Sequence, residues 1–429
     1  MKSKIISFIK LICIVYLIIF LPQIIWNNAN SDNFEKKSKL NFISSIENFI
    51  NNKHNITQLK NYRLCLITDE KNFFSGKKNF NQLIKNGFNI KKILVPDKKK
   101  HSISNNLHFP NNQLSKHKIL NPISNCSYQI PSFKWNIHTK NISSNFFKDV
   151  DVLLFNVQGL CFTNDLCFNT LKKTMSLALN YKKKLIILDE PNFLGKWIEG
   201  TGIIPIRHGL TVGELAHYFN KYYMEKTINL TVISMVNWQR NNPLIKLNNK
   251  PNYEIISILN NSYLYTFLKA LNYIKPINIG IDQKLTYQIF SLQQKNQLSE
   301  WELKYLKKLC LKLGLFCKHY SFLDKNSNIS HRGLKIKIQK KINKFSAFNS
   351  FLTIARFLKN RKNINLLYSS NFDEIFGCDH VRNFLQDLIT FDDLKFNIEN
   401  NLNNFYSKAK SCFLYKPFPQ KVKVKIVRC

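Results

Sequence analysis

The chain has 429 residues, 44% of them hydrophobic, which is enough for two domains with cores of their own. Its formal charge of +38, from 64 basic and 26 acidic residues, suggests nucleic acid first, but only eight of the basic residues are Arg and the Lys residues run along the whole chain. No helix-turn-helix, zinc-finger or RNP signature accompanies them, so specific nucleic-acid recognition is not the expected purpose and a basic nucleic-acid-binding protein stands only as a third reading.

Lys2, Lys4 and Lys10 precede or interrupt an apolar segment from Ile5 to Trp26, the order of a secretory signal. Only Ala29 offers a small residue near its end, so residues 1–30 read equally as a removed signal or as an uncleaved membrane anchor. Positive charge on the inner side puts the body across the membrane, exported to the periplasm or tethered to the outer face of the inner membrane. Residues 31–61 are polar and read as a tether, with a weakly helical patch around Phe42–Ile50. Beyond Cys13, the cysteines form no CxxC pair and are expected as isolated buried thiols.

Arg63–Ile67 is the first predicted buried strand, with Thr68, Asp69 and Glu70 at its C-terminal end. A short helix over Phe80–Asn86, ended by Gly87, and a strand over Lys92–Val95 complete a right-handed parallel crossover. Lys98–Lys148 lacks periodicity and is expected as a long loop over the site. Asp149–Phe155 is a further strand ending in Asn156 and Gln158, and a helix over Leu171–Asn180 returns to the central strand, Lys184–Leu188. Asp189, Glu190 and Asn192 follow at the carboxyl end, where open α/β sheets collect ligands. Asp189 has two readings there, a loop-bracing carboxylate or a working one.

Gly195, Gly200 and Gly202 mark a folded-back loop, after which Thr211 and Glu214 spell a capping box for a helix whose apolar stripe is Leu215, Ala216, Phe219 and Tyr223. Arg207 and His208 precede that helix N-terminus. The dipole and the Arg fork suit a carboxylate, and a structural ion pair is the competing use. Asn229–Met235 is another strand, with Trp238 read as core packing ahead of a sugar-stacking platform. A Pro/Asn-rich linker over Asn241–Asn261 divides a domain over 62–261 from one over 262–429. The second half alternates again, with helices near Tyr263–Tyr273, Glu300–Leu313 and Phe348–Leu358 and strands near Ile277–Ile281, Leu334–Ile338 and Val422–Val427. The fold class is α/β: a Rossmann-like parallel sheet domain followed by a smaller α/β domain. No G-x-G-x-x-G, Walker A, HExxH or nucleophile elbow occurs, so no cofactor and no metal is expected.

LDEPNFLG, then EG, then PIRHGLTVGELA resemble the signature of the peptidoglycan exo-β-N-acetylmuramidase family of NamZ type, whose usual form is LDRPNPLGG, then EG, then P-x-RHGMTxGELA. The resemblance implies a hydrolase that removes terminal N-acetylmuramic acid from peptidoglycan fragments. CLITDEKNFFSG is similar to the family's GLITNQTG, and ILVPDKKK stands where the family has a phenylalanine-x-PEHG turn. Asp97 thus replaces the Glu expected as acid or base, and Lys98 and Lys99 replace His and Gly. NVQGLCFTNDLC keeps Gln158 of the family's D-x-QD-x-G-x-R-x-YTY, while Asn156 and Gly159 replace two acids and Thr163 an Arg. INIGIDQKLTYQIF retains only Asn278 of EGTNxSxGRGT; FDEIFGCDHVRNFL and KSCFLY match terminal landmarks.

The implied site has Asp97, Asp189 and Glu190 as catalytic carboxylates, Gln158 and Asn192 as sugar hydrogen-bonders, and Arg207 with His208 on the lactyl carboxylate. Its partners are peptidoglycan-derived amino sugars, with the membrane met through the N-terminal segment. The eroded motifs imply weakened activity, or a catalytically inactive relative that binds muropeptides or a partner protein.

Overall fold

The computed structural model describes residues 42–52, 57, 59–69, 82–97, 115–120, 127–137, 142–157, 159, 163, 165–192, 194–195, 197–240, 263–279, 288–292, 297–324, 329–339, 345–361 and 365–427. Helix α1 (Ser45–Asn51), closed by a Ser44–Glu47 capping box, leads into strands β1 (Leu64–Thr68), β2 (Ile90–Asp97), β3 (Ser115–Leu120), β4 (Ser127–Asn136) and β5 (Val152–Asn156). Helix α2 (Leu166–Asn180) is N-capped by Asp165. It is followed by β6 (Lys184–Leu188), the short β7 (Trp197–Ile198), helix α3 (Val212–Tyr222) and β8 (Leu230–Ile233).

Seven of these strands form one sheet in the order β3-β4-β2-β1-β5-β6-β8, parallel except for the β3–β4 pair. β1, β5 and β6 are near-continuous apolar runs because both faces of the sheet are covered. Leu64, Leu66 and Leu154 pack with Ile46 and Phe49 of α1 on one face. Cys65, Ile67, Leu153 and Phe155 pack with Leu171 of α2 and Leu215 of α3 on the other. The chain runs outward from β1 through β2 to β4 on one side, and from β5 through β6 to β8 on the other. The direction reverses between β1 and β5, and in sheets of this class ligands bind outside the carboxyl ends of the strands at such a switch point.

The second half contributes helical residues 263–271, β9 (Ile274–Lys275), β10 (Ile277–Asn278), β11 (Ile289–Leu292), helix α4 (Glu300–Lys312), β12 (Leu315–Asp324), β13 (Ile329–Ile338) and helix α5 (Ala347–Lys359). It continues with β14 (Leu367–Tyr368), helices α6 (Phe372–Phe376), α7 (His380–Leu385) and α8 (Phe391–Ala409), and β15 (Gln420–Lys421). β10, β11, β13 and β12 make a four-stranded antiparallel sheet. Ser44–Cys429 is one compact unit, and a single apolar cluster continues from Phe155 and Leu215 to Phe351 and Leu394.

Two expectations need correction. The segment over 98–148 is not all loop: it holds β3 and β4, and β4 was hidden by Pro131 and by polar residues between Ile130 and Trp135. Val422–Val427 is not a strand. The Val422 N–H donates to the Ile198 carbonyl at 2.8 Å, but beyond it side chains of α5 take over, Asn349 Oδ1 accepting from Lys425 N and Thr353 Oγ1 from Val427 N. Helix α8, with polar residues through most of its length, also escapes a reading by periodicity. Among the described residues no helix is long and apolar enough to cross a membrane, and the segment Ile5–Trp26 lies outside them.

Candidate active site

Thr68, Asp97, Asn156 and Leu188 end or nearly end four parallel strands, so the residues just beyond them share one edge of the sheet. Asp97 closes β2 beside Asn136 of β4. Gln158 lies outside the described residues.

Asp189 is fully buried and accepts four hydrogen bonds. Its Oδ1 takes the backbone N–H groups of Gly213 at 2.7 Å and Glu190 at 2.9 Å. Its Oδ2 takes the hydroxyls of Thr211 at 2.8 Å and Tyr415 at 2.7 Å. The carboxylate therefore ties the end of β6 to the first turn of α3 and to the C-terminal segment. Burial, and next the charge of Glu214, push its pKa up to about 7, against the pull of these donors.

The capping box of α3 forms as the sequence spells it: Thr211 Oγ1 accepts Glu214 N–H at 3.2 Å and Glu214 Oε2 accepts Thr211 N–H at 2.9 Å. The second oxygen of Glu214 also receives the Leu414 N–H at 2.7 Å and the Arg240 guanidinium. Arg240 in turn donates to the carbonyls of Gly209 and Pro417. Glu214, Arg240 and Tyr415 make a buried polar lock that no local sequence signal announces.

Glu190 stands differently. It is half-buried, and burial, followed by the negative charges of Asp189 and Asp69, raises its pKa to about 8. A carboxyl with that value is protonated at neutral pH and can donate a proton to a leaving oxygen.

The other sequence candidates turn inward. Asn192 is buried, with its amide nitrogen on the Leu210 carbonyl at 2.7 Å and its oxygen on Leu194 N–H at 2.7 Å, so both ends hold the loop together. Arg207, expected at a lactyl carboxylate, is buried and pairs with Glu199 while donating to the Leu194 carbonyl at 3.1 Å; its guanidinium lies over the Tyr263 ring. Glu199 also accepts Ser346 Oγ and Ala347 N–H, so the Arg207–Glu199 pair clamps the N-terminus of α5. The competing reading of Arg207, a structural ion pair, describes this geometry. His208 accepts the Leu210 N–H on Nδ1 at 3.1 Å, which leaves its ring proton on Nε2. Burial and then Arg240 lower its pKa to about 3, so it is neutral and cannot attract an anion by charge. Among the described residues no group of three His, Cys, Asp or Glu is placed to hold a metal ion.

Residues 64–252 match the family described as exo-β-N-acetylmuramidase NamZ, N-terminal. This part of the chain belongs to the NamZ family as a divergent member. Over 128 residues the chain is 33% identical to the peptidoglycan β-N-acetylmuramidase NamZ of Bacillus subtilis (strain 168), a match that spans 26% of this chain and only 30% of that relative's length. Two solved structures share the fold, both DUF1343 family proteins of Bacteroides fragilis NCTC 9343. One has a TM-score of 0.65 at 19% identity, covering 88% of this chain and all of its own. The other has a TM-score of 0.59 at 17% identity, covering 89% of this chain and all of its own. The NamZ match begins at β1 and runs past β8, so it takes in the whole carboxyl edge described above.

Proposed function

We propose that the chain is an exported exo-β-N-acetylmuramidase-like glycosidase of weakened activity that acts on peptidoglycan-derived amino sugars. The observation that carries this reading is Glu190, a half-buried carboxyl with a pKa near 8 at the carboxyl edge of a NamZ-type sheet. Glycoside hydrolysis needs an acid at the leaving oxygen and a second carboxylate that assists water or the sugar cation. Glu190 fits the first role. Asp189 is poorly suited to the second, because four donors occupy it. Asp97 is on the same edge, one methylene shorter than the family's Glu, and near-attack geometry tolerates little misplacement. The positively flanked apolar segment near the N-terminus supports delivery across the membrane, where such sugars occur.

The test is to incubate the purified chain, kept in mild detergent, with the disaccharide of N-acetylmuramic acid β-linked to N-acetylglucosamine and to measure free N-acetylmuramic acid. Slow release from the non-reducing end is expected. Intact disaccharide after long incubation, with binding retained, would leave a wall-fragment-binding relative instead of a hydrolase.

A further inference from the structure

Strand register sets Thr68 of β1 against Asn156 of β5, and Phe155 of β5 against Ile187 of β6. Asp69 therefore leaves the sheet one residue past β1 and Glu190 two residues past β6, with the end of β5 between them. Two strand spacings separate their backbones by roughly 10 Å. Carboxyl groups reaching inward from such positions can stand on two sides of one glycosidic bond with room for a water.

Asn156 sits at the end of the intervening strand. It is 4% exposed, and its Oδ1 finds no hydrogen-bond partner among the described residues. Buried acceptors are rarely left unpaired, and one at a ligand-binding edge suits a sugar hydroxyl. The negative charges of Asp69 and Asp189 both act to keep the proton on Glu190.

Both acids depart from the family forms. Asp69 stands at the Asn of GLITNQTG and Glu190 at the Arg of LDRPNPLGG. In the same chain the strand-end Glu has become Asp97. Two carboxylates gained at one edge, where another has been shortened, single out this pair.

We propose that Asp69 and Glu190, flanking the end of β5, form the acid–base pair of this chain, a pairing that rests on the muramidase reading above. The Glu190 carboxylic acid gives its proton to the leaving oxygen as the bond from that oxygen to the anomeric carbon breaks. A water oxygen bonds to the anomeric carbon and loses a proton to the Asp69 carboxylate. Bulk water then carries that proton away and reprotonates Glu190. One water is consumed and no other co-reactant is needed.

The experiment compares the unmodified chain, Glu190→Gln and Asp69→Asn on the disaccharide and on a nitrophenyl β-N-acetylmuramide, whose leaving group needs no acid. Glu190→Gln should lower kcat on the disaccharide by about 10²–10⁴-fold, leave KM within a few-fold and spare the nitrophenyl substrate. Asp69→Asn should slow both substrates and move the alkaline limb of kcat/KM on the disaccharide, near pH 8 in the unmodified chain, to lower pH, because a like charge has been removed. Added formate should restore turnover to Asp69→Ala, which separates a lost carboxylate from a lost fold. Full rates and an unmoved alkaline limb in Asp69→Asn would overturn the pair while the muramidase reading stands. Equal losses on both substrates in Glu190→Gln would remove Glu190 as the acid. No release by the unmodified chain would defeat the muramidase reading, and the pair with it.

Discussion

The Tyr415 hydroxyl donates to Asp189 Oδ2 at 2.7 Å across 226 residues of chain, while accepting the Met235 N–H at 2.9 Å. This contact fastens the C-terminal segment onto the carboxyl edge of the parallel sheet, and Trp238 meets the same ring edge-on at 4.8 Å. The strand-end Asp that looks catalytic in the sequence is thus the anchor on which the site is mounted. Glu190, one residue on, takes its position from that anchor, and burial, followed by the charges of Asp189 and Asp69, raises its pKa.

Tyr415→Phe keeps the ring packing and removes one donor from a buried carboxylate. Loss of stability by about 1–3 kcal/mol is expected, the cost of leaving a buried polar group short of a partner. Urea unfolding measures it. A change within error would mean that water replaces the hydroxyl.

Local signals made β6 and the start of α3 legible, since an apolar run and a Thr-x-x-Glu box act within a few residues of themselves. The parallel order followed from the same runs. What the sequence concealed was long-range. The direction of Arg207 is decided by Glu199, which is itself committed to the N-terminus of α5 some 150 residues later, at Ala347 and Phe348. Asn192 looked like a sugar ligand because its amide is polar, yet the loop carbonyl of Leu210 and the N–H of Leu194 claim both ends. Residue type announced polarity in both cases, and only the fold decided which way it faced.

Arg207→Ala should destabilise the chain by about 3–5 kcal/mol, because it leaves Glu199 buried without its cation. Arg207→Lys keeps the charge but loses the fork that also reaches the Leu194 carbonyl, and should fall between. Binding of an N-acetylmuramic acid ligand and of its N-acetylglucosamine counterpart should weaken together, if at all, since the guanidinium faces the interior. A selective loss of the muramic acid ligand in calorimetry would return Arg207 to the binding surface.

Stability should decline from about pH 4.5, just above the ordinary carboxylate values, to about pH 8, most steeply once pH passes about 6.5 and His208 no longer opposes it. Asp189 and Glu190 have folded pKa values near 7 and 8, above their ordinary carboxylate values, so between those limits the folded state holds more protons than the unfolded one. Their contribution is complete below the unfolded pKa and fades as pH rises through the folded one. His208 works in the opposite direction, but only below about pH 6.5, because its folded pKa is lowered to about 3. Thermal unfolding across pH should show the decline, and Asp189→Asn should flatten it. A rising midpoint between about pH 6.5 and about pH 8 would contradict the assignment.

Gly202→Ala tests the join between the two halves. Gly202 has φ +93°, and an added Cβ would lie 2.2 Å from the Phe376 carbonyl oxygen, a backbone atom that cannot swing aside. Left-handed backbone alone costs a side-chain-bearing residue about 1–2 kcal/mol, and the clash adds to it. A clear fall in melting temperature is expected. An unchanged one would show that the Gly202–Gly377 approach relaxes freely.

Replacing Asp97→Glu, Lys98→His and Lys99→Gly together restores the family's strand-end turn and asks where the acid of this chain resides. If the strand-end carboxylate does the proton transfer, one methylene and two removed cations should restore a general acid, and general acid–base catalysis is typically worth 10²–10⁴-fold. If Asp69 and Glu190 do it, the restored turn adds a carboxylate to an edge that already has a protonated Glu190, and kcat on the disaccharide should change by less than about 10-fold. The second outcome is expected, because Glu190 has the raised pKa that an acid requires and the chain has carboxylates at both positions where the family forms have none. A larger gain in the triple variant, persisting when Glu190→Gln is added to it, would place the working acid at residue 97 and reduce Glu190 to a neighbour of the Asp189 anchor.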